Sequence, residues 1–155
     1  MSFNQTAVDE LISNVVSGAQ QLGIFEEVLT HEPKSKPQKN MTMAFWLTSI
    51  KPSAKKSGLA STAGCVTFNS RIYISFLAKP EDQVEANLLT ATSTLISQYS
   101  SAFSFGGTVI DVDLLGSESA GLSAQFGYVE IGGTNFRTSN IVVPVIIDNL
   151  WTQEA

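Results

Sequence analysis

The chain is short of the residues that carry most enzyme chemistry: His31 is its only histidine and Cys65 its only cysteine. A zinc cluster of ordinary spacing needs several such ligands, so none can be assembled. A Ser-His-Asp triad would have to recruit His31, which lies beside Pro33 in a polar, proline-marked stretch. The G-x-S-x-G elbow, the G-x-x-x-x-G-K-[ST] phosphate loop and the G-x-G-x-x-G fingerprint are all absent. One cysteine excludes an intrachain disulfide, and its apolar neighbours make Cys65 a small buried hydrophobe. No apolar run approaches the roughly 18 residues of a membrane helix. The first residues lack the basic-then-apolar plan of a secretory leader, so the chain is expected in a cytoplasm, or in a particle assembled there. No metal, cofactor or membrane partner is implied.

Charge is scarce as well. Charged residues are 15% and hydrophobic residues 43% of the 155 positions, too apolar for a disordered chain. The length suits one core, hence a single domain over 1–155. A surface this thinly charged is expected to be covered in part by other subunits. The net charge of -5 argues against a broad basic surface for nucleic acid. Its distribution is uneven. Residues 1–33 hold five acids and no Lys or Arg, residues 34–56 six lysines and no acid, and residues 57–155 three basic and nine acidic side chains. Such a molecule can associate head to tail with its own copies; the alternative is a pair of solvated lysine-rich loops.

What is present is a set of regular apolar patterns. Val8, Leu11, Ile12, Val15, Val16, Ala19 and Leu22 keep the rhythm of one helical face, predicting a helix over 6–22. Thr6 with Asp9 approximates a capping box, Gly23 offers a left-handed stop, and Gly18 weakens the middle. Residues 24–29 read as a short strand and 31–37 as an irregular loop. Residues 41–50 and 65–77 read as strands, the first ended by Lys51-Pro52. In the second, Val66, Phe68, Ile72, Ile74 and Phe76 point inward and Asn69-Ser70 marks an interruption or a bulge. The Ser, Ala, Gly and Lys content of 53–63 makes it a basic hairpin tip. Pro80-Glu81-Asp82 opens a second helix with Val84, Leu88, Ala91, Leu95, Tyr99 and Ala102 on one face. Residues 108–114, 122–131 and 136–147 read as strands, the last two joined by Gly132-Gly133. Pro144 lacks a ladder donor, which places it at a sheet edge or a bulge. The fold class expected is α+β: a mixed or antiparallel sheet with two helices packed on it and a long basic β-hairpin.

Asp111 and Asp113 form the most enzyme-like pair, since their spacing puts both carboxylates on one face of a strand. Alternating Asp is also what the solvent face of a half-buried strand looks like, and a contact with a lysine of a neighbouring subunit suits them better. The lysine tip lacks interleaved aromatics, so it is no base-stacking platform, although it can touch phosphates non-specifically.

Several punctuating segments resemble tail terminator proteins of long-tailed bacteriophages. In the first half these are Phe25, His31-Glu32-Pro33, Phe45-Trp46 and Ile50-Lys51-Pro52. In the second half they are Pro80-Glu81-Asp82, Phe105-Gly106-Gly107, Asp113-Leu114-Leu115-Gly116, Gly127-Tyr128, Phe136-Arg137 and Asp148-Asn149-Leu150-Trp151. The resemblance implies a non-enzymatic virion protein of the tail or neck. It would form a homo-oligomeric ring, commonly of six subunits, that caps the tail tube, stops tube polymerisation and meets the head–tail connector, with DNA passing through the lumen. A head-completion or stopper protein of the same neck is the nearest alternative, followed by a tube subunit and by a small enzyme. The candidate contact residues of such an assembly are Lys51, Lys55, Lys56, Asp111, Asp113, Arg137 and Pro144.

Overall fold

The structure, a computed structural model, describes residues 2–37, 41–53, 61–75, 81–101, 111–116 and 121–152. The elements in chain order are β1 (Ser2–Phe3), α1 (Gln5–Gln21), β2 (Glu27–Leu29), β3 (Met41–Ser53), β4 (Ser61–Ser75), a 3-10 turn (Glu81–Gln83), α2 (Val84–Ser101), β5 (Asp111–Val112), β6 (Ser123–Ile131) and β7 (Thr134–Thr152). They make the α+β fold anticipated: one seven-stranded mixed sheet with two helices. Its order is β1-β7-β4-β3-β2, with β5 and β6 also paired to β7, and β2–β3 is its parallel pair. Of the expected hairpin tip over 53–63, residues 54–60 lie outside the described residues, as do Lys39, Phe76, Pro80, Ala102 and Gly106-Gly107, while Ser53 and residues 61–63 belong to β3 and β4.

The 19 residues of β7 form the spine. One side pairs with β4 from Phe136 to Thr152. The other side is shared, end to end, by β6 against Thr134–Val142, β5 against Val145–Ile146 and β1 against Trp151–Thr152. This overturns the placement of Pro144 at an edge. It is buried within the central strand, opposite Thr67. Its carbonyl accepts from the Asp113 N–H at 2.9 Å, so its missing donor faces the same flank, where β6 has ended and β5 has not begun.

Both helices contribute to one core on one face of the sheet. Val8, Leu11, Val15 and Ala19 of α1, with Val84, Leu88, Ala91, Leu95 and Tyr99 of α2, pack with Met43, Phe45, Val66, Phe68, Ile72, Ile141, Val143, Val145 and Ile147. Phe68 stacks edge-on with both Phe45 and Tyr99, at centroid distances of 5.9 and 5.8 Å. Ser70 sits on this inner face in register, not in a bulge. Its hydroxyl shares a 2.6 Å hydrogen bond with Tyr99, whose pKa burial pushes up. The Thr92 hydroxyl shares one of 2.7 Å with Ser139. These polar bridges fix α2 across β4 and β7.

The true irregularity of the hairpin is in β3, at Thr48. The register steps from Leu47↔Phe68 to Ser49↔Thr67, and the Thr48 hydroxyl donates to the Thr67 carbonyl at 3.1 Å. One extra residue reverses the side-chain alternation, so Ile50, not Ser49, falls opposite the core residue Val66. Lys51-Pro52 does not end the strand, which runs to Ser53; beyond Ala44 its outer flank no longer meets β2, an edge where proline is tolerated.

Helix details differ from the sequence reading in two places. Asn4, not Thr6, is the N-cap, its side chain accepting from the Ala7 N–H. Gly18 does not interrupt α1, which runs on to Gln21: its carbonyl accepts from Gln98 Nε2 at 3.0 Å, and a Cβ there would lie 3.0 Å from the same atom. It is the point where α1 lets α2 approach. Gly23, at φ +69°, does stop α1 as expected.

Gly64 provides the sharpest local test. A Cβ there would fall 2.2 Å from Cδ2 of the fully buried Leu150, which the register shift between Thr62 and Gly64 turns inward. Gly64→Ala is expected to cost about 1–3 kcal/mol by overpacking, read by urea denaturation. Gly127→Ala, whose Cβ would meet only Thr138 Oγ1 at 3.8 Å, serves as the neutral control. In the core, Tyr99→Phe strands the Ser70 hydroxyl and is expected to cost about 1–3 kcal/mol, part of which Ser70→Ala restores in the double variant.

Candidate assembly surface

The anticipated contact residues do not converge on one spot. Lys51 is exposed on β3, opposite Cys65. Lys55 and Lys56 lie outside the described residues. Asp111 lies on β5 opposite Ile146. Asp113 is past the end of that strand and only 7% exposed, because its N–H is drawn to the Pro144 carbonyl and Leu114 turns back onto Val112. The alternating solvent-facing acid pair is therefore absent. Among the described residues no three His, Cys, Asp or Glu side chains gather as metal ligands, and no helix is long and apolar enough to cross a membrane. His31, with Lys34 and Lys36, rims a shallow depression of about 340 Å³ beside β2.

Arg137 has the most developed surroundings. It stands on β7 directly opposite Tyr128 of β6, on the face that carries the helices. Its guanidinium lies 4.5 Å from the Tyr128 ring centroid and 5.9 Å from that of Phe126. Nε and Nη2 donate to the two carboxylate oxygens of Glu85, near the start of α2, and Nη1 donates to the Gly127 carbonyl at 3.0 Å. The hydrogen bond from Arg137 holds the Glu85 carboxyl below the usual carboxylate range. Four residues on, Leu89 shares the Glu85 flank of α2.

The result is an aromatic shelf. Among the described elements helix α2 packs on β4 and β7, and Tyr128 is 64%, Phe126 44% and Leu89 59% exposed. Besides Glu85 and Arg137, the exposed charges beside the shelf among the described residues are acidic: Glu130 on the same strand face and Asp82 a turn before Glu85. Tyr, Phe and Arg are the residue types enriched at protein interfaces. The outer flank of β6 has no strand partner among the described residues.

The sequence reading reached Arg137 but missed Phe126, Tyr128, Leu89 and Glu85. The signal was in β6 itself. Its first half is apolar on one side only, at Phe126 and Tyr128, while Val129 and Ile131 occupy the other side. Those two pack with Tyr73, Phe136 and Leu29 beneath the sheet. The same outer face carries Arg71, whose guanidinium lies 5.2 Å from the Trp46 ring centroid and whose Nε donates to the side-chain Oδ1 of Asn140 at 3.3 Å.

No protein-family model and no curated protein matches the chain. Among solved structures it is similar to a sheath/tube terminator of an extracellular contractile injection system (PVC), determined by cryo-electron microscopy in the extended state. The identity is 11% and the TM-score 0.38 over 100% of this chain, which spans 60% of that protein's length.

The Glu85–Arg137 pair gives a pH test. Glu85 has a depressed folded pKa, so the stability it adds is present above the ordinary glutamate pKa and lost as pH falls through the folded value. The carboxylate is largely exposed, which limits the contribution to about 1 kcal/mol or less. Glu85→Gln is expected to leave the melting temperature near its parent value below that window and to lower it slightly at neutral pH. Thermal melts across the acid range check this.

Proposed function

We propose that the chain is a structural subunit of a phage-type tail: a ring-forming terminator that caps the tail tube. One observation carries the reading. The sheet is open at both ends among the described residues, at β6 and along β3 beyond β2, and these two edges differ from each other. Two unlike edges on opposite sides favour a heterologous, head-to-tail contact, which closes into a ring when the rotation per subunit allows it. The resemblance of Phe45-Trp46, Ile50-Lys51-Pro52, Phe136-Arg137 and Asp148-Asn149-Leu150-Trp151 to tail terminators supplies the biological setting.

In this reading no bond is made or broken. The ring, expected to be a hexamer, offers one face to the terminal tube ring and the other to the head–tail connector, and polymerisation stops because the outer face no longer matches a tube subunit. Lys51, Lys55 and Lys56 have two reasonable targets on an acidic molecule: acidic surfaces of adjacent subunits, or phosphates of DNA in the bore.

Particles assembled without this protein, viewed by negative-stain microscopy, should show overlong or headless tails. Leaking heads without tails would instead assign the chain to the stopper of the same neck. Lys55→Glu combined with Lys56→Glu separates the lysine targets. Failed joining with a normally melting subunit marks a protein target. Intact particles that pass DNA poorly mark the bore. Parental assembly and infectivity leave the tip a solvated loop.

A further inference from the structure

The shelf on β6 has a fitting occupant elsewhere in the same molecule. We infer that the β3 edge unpaired by any described strand, residues 45–53, from a second copy of this chain pairs antiparallel with β6, residues 123–131, and seats Ile50 on the Phe126–Tyr128 shelf. The inference rests on the ring reading and specifies its interface.

The direction of pairing follows from the sheet. Strand β3 is antiparallel to β4, β4 to β7 and β7 to β6, so β3 and β6 run in opposite directions within one subunit. A head-to-tail neighbour presents its β3 in the orientation of the first, hence antiparallel to β6. The two stretches that lack a strand partner among the described residues are nine residues each.

Side-chain phase agrees as well. Tyr128 opposes Arg137 and Phe126 opposes Ser139, whose hydroxyl bonds Thr92 of α2, so both aromatics face the helix side. The bulge at Thr48 turns Ile50 to the helix side too, opposite Val66, where it remains 40% exposed. Directly opposed residues of an antiparallel pair share a face, so Ile50 can stand against Phe126 or, two residues along, Tyr128, but not against Gln125. Without the bulge, Ile50 would project from the wrong face. The only charge in residues 45–53 is Lys51 and the only one in 123–131 is Glu130, so no like charges oppose each other across the seam. Pro52 removes one ladder donor near the end of the stretch and leaves the pairing centred on residues 45–51.

Pairing also sets a stagger. Trp46, Asn69, Val142 and Ser123 lie in one row across the sheet, and from that row the two stretches run apart. Bringing them together shifts successive copies by about seven residues, ~23 Å along the strands, so strands cross the ring axis steeply.

Disulfide trapping tests the interface. Cys65 is buried and stays in place, so the parent chain is the background control. Ile50→Cys with Phe126→Cys, and Ile50→Cys with Tyr128→Cys, should give under mild oxidation a covalent ladder extending past the dimer. Ile50→Cys with Gln125→Cys should give none. Mixing the Ile50→Cys and Phe126→Cys single variants should give dimers only. Ile50→Asp should abolish oligomers in native mass spectrometry while the subunit keeps its parental melting temperature. Rings seen under reducing conditions without helix-side cross-links overturn this interface and leave the ring reading standing. Equal cross-linking through Gln125, or a product that stops at dimer in the double variants, also overturns the interface. A strictly monomeric chain over the full concentration range, without cross-links, overturns both.

Discussion

The ladder between β4 and β7 is the interaction on which everything else hangs. It joins segments some seventy residues apart, and each of its two strands then serves as a platform. Strand β4 carries β3, and through it β2; β7 carries β6, β5 and β1 in line. The helices bind to the same pair: α2 lies across β4 and β7, and its Tyr99 and Thr92 hydroxyls are bonded to Ser70 and Ser139 on those strands. Buried hydroxyls on an apolar face are costly unless matched, so these two bridges select one placement of the helix among many that would bury similar area.

This arrangement leaves the sheet asymmetric in cover. The centre is sealed by helices on one side, while β6 and the far part of β3 extend beyond them. At β6 that extension brings two aromatic rings into solvent around an arginine already fixed by Glu85. The cation is therefore better read as a rigid support for Tyr128 and Phe126 than as a free charge seeking an acid. Specificity at such a surface comes from shape and strand phase, with charge setting only the sign of the approach.

Periodic segments were legible in the sequence because local pattern and tertiary role agree in them. The face of α2 through Val84, Leu88, Ala91, Leu95 and Tyr99 and the Gly132-Gly133 turn, at φ +59° and +78°, are examples. Errors arose where a distant partner decides the outcome. Pro144 signals an edge by itself, yet the gap between β6 and β5 makes the interior of the central strand acceptable. Ser70 looks like an interruption until Tyr99 is placed above it. Asp113 alternates with Val112 in sequence, but the strand stops at Val112. The contact residues were least legible, since exposure of Phe126 and Tyr128 depends on how far α2 reaches, which no local pattern encodes.

The length of the β4–β7 ladder also governs when the subunit can exist. Strand β4 is synthesised well before β7, so the β3–β4 hairpin must wait with a long apolar edge unpaired. Sheets closed by such distant pairing fold slowly, whereas the β6–β7 hairpin, joined by two residues, can form as soon as both strands are present. The β4–β7 pairing is therefore the step that must close the longest stretch of chain. During that wait a second nascent copy can offer its own β7 to the open β4 edge, exchanging strands between chains. The rate of hairpin docking relative to local chain concentration thus becomes a quality control on the yield of assembly-ready subunits.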